Sequence, residues 1–177
     1  GGVFNPFFIY GDSTVGKTHL ANAIGLGIKE RYPEKKVLYV SANDFMIQYG
    51  DSIKNQHTND FLKFYQSVDI LILDDVQDLE GKEKTLNTFF HIFNQLHQMG
   101  RQLIMCCDRD PSELKMSDRI ITRFKWGLNA KIDKPELELR KKILKSKASD
   151  YGMEITDDIV DYIAENITNN RALEGTL

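Results

Sequence analysis

The apolar positions of this chain fall into short unbroken runs separated by longer amphipathic stretches. Phe7-Phe8-Ile9-Tyr10 is such a run, it stops at Gly11, and the segment from Lys17 to Arg31 follows with apolar residues at helical spacing. The pattern predicts a buried strand leading into a helix. Val37-Leu38-Tyr39-Val40, Asp69-Ile70-Leu71-Ile72-Leu73 and Gln102-Leu103-Ile104-Met105-Cys106-Cys107 predict three more strands of the kind buried on both faces. Residues 82–99 carry Leu86, Phe89, Phe90, Phe93 and Leu96 on one stripe and stop at Gly100, which predicts a long core-facing helix. Strands that alternate with helices belong in a parallel sheet covered on both faces, so the expected fold is α/β.

After Pro135 the pattern changes. Residues 137–151 and 156–166 read as amphipathic helices with no strand between them, which divides the chain into an α/β core over 1–132 and a small helical lid subdomain over 133–177. The basic run Arg140-Lys141-Lys142, continued by Lys145 and Lys147, reads as the wet face of the first lid helix, with contact to DNA or a partner as the alternative. No internal repeat or low-complexity stretch interrupts this order.

The glycine-rich turn after the first strand carries the chemistry. Gly11-Asp12-Ser13-Thr14-Val15-Gly16-Lys17-Thr18 satisfies G-x-x-x-x-G-K-[ST] and lies between a predicted strand and a predicted helix, where the phosphate-loop mechanism requires it. The glycines let backbone N–H groups wrap a phosphate at a helix N-terminus, Lys17 reaches the β- and γ-phosphates, and Thr18 ligates Mg2+. Asp69 to Asp75 supplies the complementary acids: Asp74 at the strand end to hold Mg2+, and Asp75 to polarise an attacking water. Alone, an apolar run followed by two acids is an ordinary strand end; paired with Lys17 it becomes specific.

Composition narrows the setting. The 177 residues are 41% hydrophobic and 28% charged, with a net charge of -3, which suits a soluble domain and not one whose whole surface is a duplex-DNA footprint. Any nucleic-acid contact is therefore expected to be local. No apolar run approaches the roughly 20 residues of a membrane span, and the first residues show no secretory signal, so a cytoplasmic location is expected. The two cysteines, Cys106 and Cys107, sit in an apolar run and read as core thiols. His19, His57, His91 and His97 show no metal spacing.

The stretches Asn5-Pro6-Phe7-Phe8-Ile9-Tyr10-Gly11, Gly16-Lys17-Thr18-His19-Leu20, Asp74-Asp75-Val76-Gln77, Phe89-Phe90-His91-Ile92-Phe93-Asn94 and Arg123-Phe124-Lys125-Trp126-Gly127-Leu128 resemble the DnaA family of bacterial replication initiators. The resemblance runs through essentially the whole chain and implies a P-loop AAA+ core with a helical lid, binding ATP or ADP with Mg2+. It places His19 among the nucleotide-contacting positions with Gly11 to Thr18. It matches Asp108 to the sensor 1 position, Arg123 to the arginine finger offered to a neighbouring subunit's nucleotide, and Arg171 to the sensor 2 arginine of the lid. Residues 43–66 look like the helical insertion of replication initiators, and Lys82 and Lys84 match basic positions that face single-stranded DNA. Unaided, Asp108 is a turn aspartate, Arg123 a surface arginine, and Lys82 and Lys84 a solvated helix start.

The chain departs from the family's pattern at Thr14, where a further glycine is common, and at Gly50, where a small apolar residue is usual. The resemblance also implies an upstream segment that helps hold adenine and a C-terminal helix-turn-helix that reads duplex origin sequence, so the 177 residues are expected to be a piece of a longer protein. The implied function is a slowly hydrolysing ATP switch that self-assembles as a helical homo-oligomer on origin and single-stranded DNA, with a replicative helicase or regulators as further partners. The alternatives are a helicase loader or regulatory paralogue of the same fold and, in another class, a small-molecule P-loop kinase.

Overall fold

The computed structural model describes residues 4–11, 16–132, 144–146, 148–150, 152 and 156–159. Five strands form one parallel sheet: β1 (Phe7–Tyr10), β2 (Val37–Ser41), β3 (Ile70–Asp74), β4 (Gln102–Cys107) and β5 (Leu128–Lys131). Their spatial order is β2-β3-β4-β1-β5. The connecting helices are α1 (Lys17–Arg31), α2 (Ala42–Lys54), α3 (Thr58–Gln66), α4 (Glu83–Gln98) and α5 (Asp118–Phe124). The sequence predicts the first four strands and the long fourth helix, with β3 one residue later than expected. The fifth strand, Leu-Asn-Ala-Lys, is not among them, because four residues with a charged end carry too little apolar pattern.

Side-chain alternation along each strand sorts the apolar runs onto two faces. Phe8, Leu71, Leu73, Leu103, Met105 and Cys107 join the core beneath α2, α3, α4 and α5. Ile9, Ile70, Ile72, Ile104 and Cys106 join the core beneath α1, with Leu20, Ala21 and Ile24. Cys106 and Cys107 therefore point to opposite faces and are free, buried thiols. The first core is rich in rings: Phe45 meets Phe61, Tyr65 and Phe89 with centroids 5.4, 5.0 and 5.7 Å apart, and Phe124 lies 5.6 Å from Phe93. Such contacts fix α4 and α5 relative to the sheet. The expected helical insertion, residues 43–66, falls on the pair α2 and α3, with α2 beginning one residue earlier.

The start of β5 is set by a close approach. A Cβ on Gly127 would stand 2.0 Å from the Pro6 carbonyl oxygen, the same oxygen that accepts the Leu128 N–H at 3.1 Å. Only glycine lets the two backbones meet there. Of the expected lid, residues 144–146, 148–150 and 157–159 are described and helical, and Lys145 of the basic run pairs with Asp157 at 2.9 Å. Arg140, Lys141, Lys142, Lys147 and Arg171 lie outside the described residues.

Asp69, expected inside the third strand, instead braces the opposite end of the sheet. Its carboxylate accepts the Lys36 N–H at 2.8 Å and pairs with Arg101, joining the starts of β2, β3 and β4. The Lys36 hydrogen bond, helped by Arg101, Lys35 and Lys36, holds the Asp69 carboxyl below the usual aspartate range against the opposing effect of burial. A depressed folded-state value stabilises the fold above the ordinary aspartate range, and that stability is lost as pH falls through the depressed value. Asp69→Ala should therefore lower unfolding free energy by about 1–2 kcal/mol at neutral pH, with the gap to the parent narrowing in acid. Denaturant titrations at neutral and acidic pH check both points.

Candidate active site at the C-terminal edge of the sheet

All the parallel strands end on one edge, and that edge gathers five of the predicted side chains. Gly16 takes the left-handed conformation, φ 77° and ψ 29°, as the residue that opens α1. This is a geometry glycine adopts without strain. It turns Lys17 and Thr18 into the first turn of α1. Lys17 is 5% exposed, and its Nζ donates to the Gly11 carbonyl at 2.7 Å, so the ammonium is held against the residue that follows β1. Asp12, Ser13, Thr14 and Val15 lie outside the described residues. His19 is exposed on α1.

Asp74 ends β3 with 2% exposure. Its Oδ2 accepts the Thr18 hydroxyl at 2.5 Å and the Tyr39 hydroxyl at 2.6 Å. Its Oδ1 accepts the Asp75 N–H at 2.9 Å. A buried carboxylate needs this many donors, because an unpaired one costs several kcal/mol or more. Burial first, and then the hydrogen bond to Asp74, raises the Tyr39 phenol far above its ordinary value, so it stays a donor. Tyr39 is a site residue that the sequence reading missed. The signal lies in the register of β2 on β3, which pairs Tyr39 with Ile72 and Ser41 with Asp74, and that register cannot be read before the strand order is known.

Beyond Asp74 the chain turns sharply. Asp75 adopts φ 56° and ψ 49°, a left-handed geometry that aspartate tolerates better than most residues, and leads into a short 3-10 turn, Val76–Leu79. Gln77 from that turn links two predicted residues: its amide donates to Asp75 Oδ1 at 3.3 Å, and its Oε1 accepts the Asp108 N–H at 3.2 Å. Asp108 follows β4, which lies between the phosphate-loop strand and the acidic strand. Arg109 clamps its carboxylate through Nε to Oδ1 at 2.7 Å and Nη2 to Oδ2 at 3.1 Å, and Arg109 Nη1 reaches Glu80 at 2.9 Å. The roles of Gln77 and Arg109 were also missed, although Gln77 sits inside a quoted motif.

The donor set suits a hard divalent cation. Thr18 and Asp74 present oxygen ligands beside a buried ammonium, while no group of three or more His, Cys, Asp or Glu among the described residues is placed to cage a metal alone. Mg2+ held with substrate phosphate and water oxygens has this requirement. The potential is negative around the acids. Its own burial first, and then Asp75, Asp108 and Asp74, raise the Asp78 carboxyl above the usual aspartate range. Cys106, whose thiol meets the Lys17 carbonyl at 3.8 Å, is pushed well up by burial, with Asp74 adding to it. It is an inert core thiol.

The structure thus brings Lys17, Thr18, Asp74, Asp75 and Asp108 to one place. Three predicted residues stand apart. Lys82 and Lys84 are exposed at the start of α4, two and four residues beyond Glu80. Arg123 lies in the last turn of α5, donates to Asn94 of α4 at 3.1 Å, and has no hydrogen bond or ion pair to Lys17, Thr18, Asp74 or Asp75 among the described contacts.

Residues 1–131 match the family model described as the bacterial DnaA ATPase domain. The chain is 57% identical over 175 residues to the chromosomal replication initiator protein DnaA of Bacteroides fragilis, covering 98% of this chain and 37% of that protein. Among solved structures, it matches a replication initiator DnaA bound to AMPPCP and single-stranded DNA with a TM-score of 0.70 and 42% identity, over 97% of this chain and 53% of that one. It matches domain III of Thermotoga maritima DnaA with a TM-score of 0.73 and 36% identity, over 97% of this chain and 73% of that one.

The acidic cluster carries a stability consequence of its own. A carboxyl whose folded-state value is raised favours the fold in acid, and that contribution is lost as pH rises through the raised value. Asp78→Asn should therefore raise the melting temperature at neutral pH in the absence of nucleotide and Mg2+. The gain should vanish below the ordinary aspartate range. Thermal unfolding across that pH range tests the sign.

Proposed function

This chain belongs to the bacterial DnaA ATPase-domain family, and on that premise we propose that it is the ATP-binding, slowly hydrolysing switch domain of a DNA replication initiator. The observation that carries the reading is the direct bond of Thr18 to Asp74 at 2.5 Å, which fastens the phosphate-loop helix to the acidic strand. With ATP bound, Mg2+ would be held by Thr18 and Asp74, the ion neutralising phosphate charge. Lys17 exchanges its Gly11 carbonyl for the β- and γ-phosphates, and His19 contacts the nucleotide from two residues further along α1. Asp75 orients water, with Gln77 holding its carboxylate. Asp108 reads the γ-phosphate from its place between the two strands, kept from repelling it by the Arg109 guanidinium. Arg171 of a lid beginning after Ile132 reports the same phosphate to residues 133–177.

Arg123 acts in trans. Its hydrogen bond to Asn94 of α4, and its position in the last turn of α5, suit a group presented to a neighbour's nucleotide. ATP then favours a helical homo-oligomer, and hydrolysis dissolves it. The oligomer grips one DNA strand through Lys82 and Lys84. A relative solved with both AMPPCP and single-stranded DNA supports that pairing of ligands. This chain spans 37% of the Bacteroides fragilis relative, and recognition of duplex origin sequence, like contact with a helicase or regulator, is assigned to other parts of such a protein working in the cytoplasm. Membership of the initiator family favours this reading over a helicase loader or a small-molecule phosphotransferase.

Lys17→Ala tests the nucleotide site. It removes the point charge that meets the β- and γ-phosphates and should weaken Mg-ATP binding by tenfold or more, on the order of 1.4 kcal/mol or above. Isothermal calorimetry giving an unchanged affinity would overturn the assignment. The DNA reading has a separate measure. Contacts that go to phosphates show little sequence preference, and each one removed should flatten the logarithmic salt dependence of single-strand binding by about 0.7. Lys82→Ala combined with Lys84→Ala should therefore flatten it by roughly 1.4 while ATP affinity holds. Fluorescence anisotropy of a labelled single strand at several salt concentrations, with ATP and with ADP, reads the slope. An unchanged slope would return both lysines to the solvated helix face.

A further inference from the structure

Arg123 does not extend freely from the end of α5. Its guanidinium carbon lies 4.0 Å from the centre of the Trp126 ring, while its Nη1 donates to Asn94 Oδ1 at 3.1 Å. The segment that carries the indole is fixed from several sides. The Trp126 backbone N–H donates to the Arg123 carbonyl at 3.2 Å, which closes the end of α5. The next residue, Gly127, is held against the Pro6 carbonyl where no side chain fits. The His97 ring lies 5.3 Å from the indole, and His97 in turn stacks on buried Phe93 at 6.1 Å with ring planes 11° apart. A line of contacts therefore runs from the aromatic core through His97 and Trp126 to the guanidinium. Trp126 is 50% exposed, so the stack sits at the surface of the domain.

We propose that Trp126 is the positioning residue of Arg123, holding the guanidinium plane and aiming it outward before a neighbouring copy arrives. This rests on the reading of Arg123 as a finger that acts in trans. An arginine on a flexible stem loses rotamer freedom when it fixes on a phosphate, and a platform that orders it beforehand lowers that cost. The indole face attracts the cation without offering a carboxylate, so the full positive charge remains for the phosphate. Asn94 fixes the rotation of the plane about the stack and is likewise neutral.

Trp126 is the only tryptophan of the chain, which makes the stack observable apart from activity. Arg123→Ala uncovers one indole face, so the acrylamide quenching constant of the intrinsic fluorescence should rise in the unassembled protein. An unchanged constant overturns the proposal. In the assembled, ATP-bound chain, Trp126→Leu should lower kcat by about two- to thirtyfold, the range of a cation–π contact between exposed and desolvated settings. KM and the ATP affinity of the unassembled protein should stay as in the parent. Trp126→Phe, which keeps an aromatic face, should recover most of the loss. Mixing Trp126→Leu with Lys17→Ala protein, which still carries a positioned finger, should restore turnover at the Trp126→Leu sites. If Arg123→Ala lowers assembled turnover but a folded Trp126→Leu does not, Trp126 has no positioning role and the finger reading stands. If Arg123→Ala leaves assembled turnover intact, the finger reading fails and this proposal with it. The quenching comparison retains Trp126, so it decides the matter even where Trp126→Leu does not fold.

Discussion

The carboxylate of Asp74 is the point on which the site depends. It is almost wholly buried at the end of β3, where an unpaired charge would cost more than one residue's packing returns. Hydroxyls from Thr18 and Tyr39 and the Asp75 N–H satisfy it, and each donor comes from a different part of the chain. That requirement ties the first turn of α1 to β3, holds β2 in register beside it, and sets the geometry at which the chain turns into Asp75. The oxygen cluster suited to Mg2+ is therefore also what locks the phosphate-loop helix onto the sheet.

The order of the strands does the next part. Because β4 lies between β1 and β3, its end delivers Asp108 between the loop and the acids, and Gln77 spans the gap with two hydrogen bonds. From Asp108 the polar contacts continue through Arg109 to Glu80, whose other oxygen accepts the Lys115 N–H at 2.9 Å. Glu80 stands two residues before Lys82. The residues assigned to the nucleotide and those assigned to DNA are thus joined by a short covalent and ionic path, in which Arg109 keeps adjoining carboxylates from repelling one another.

The helices over the aromatic face have a different task. Phe89, Phe93 and Phe124 pack α4 and α5 against the sheet through rings, and the rim of that packing presents Asn94, His97, Trp126 and Arg123. Rigid side chains at a core edge place a surface group more accurately than a loop does. The glycine at 127 contributes by absence, since any side chain there would force β5 and the Trp126 segment away from Pro6.

The sequence by itself determined a large part of this protein. Unbroken apolar runs bounded by polar residues marked four of the strands, the stripe from Leu86 to Leu96 marked α4, and the spacing of Gly11, Gly16, Lys17 and Thr18 with an acidic strand end marked the candidate phosphate site. These features are local, since burial on both faces and a loop that wraps phosphate each impose their pattern within a few residues. The tertiary structure alone decided the strand order, the short edge strand β5, the brace made by Asp69, and the partners Tyr39, Gln77, Arg109 and Trp126. Their roles depend on neighbours as far apart in sequence as Tyr39 and Asp74 or Asn94 and Arg123. Side chains of these types are common at the surface of any domain, and they acquire a task only when the register of a parallel sheet and the packing of its helices bring the partner within hydrogen-bonding or stacking distance.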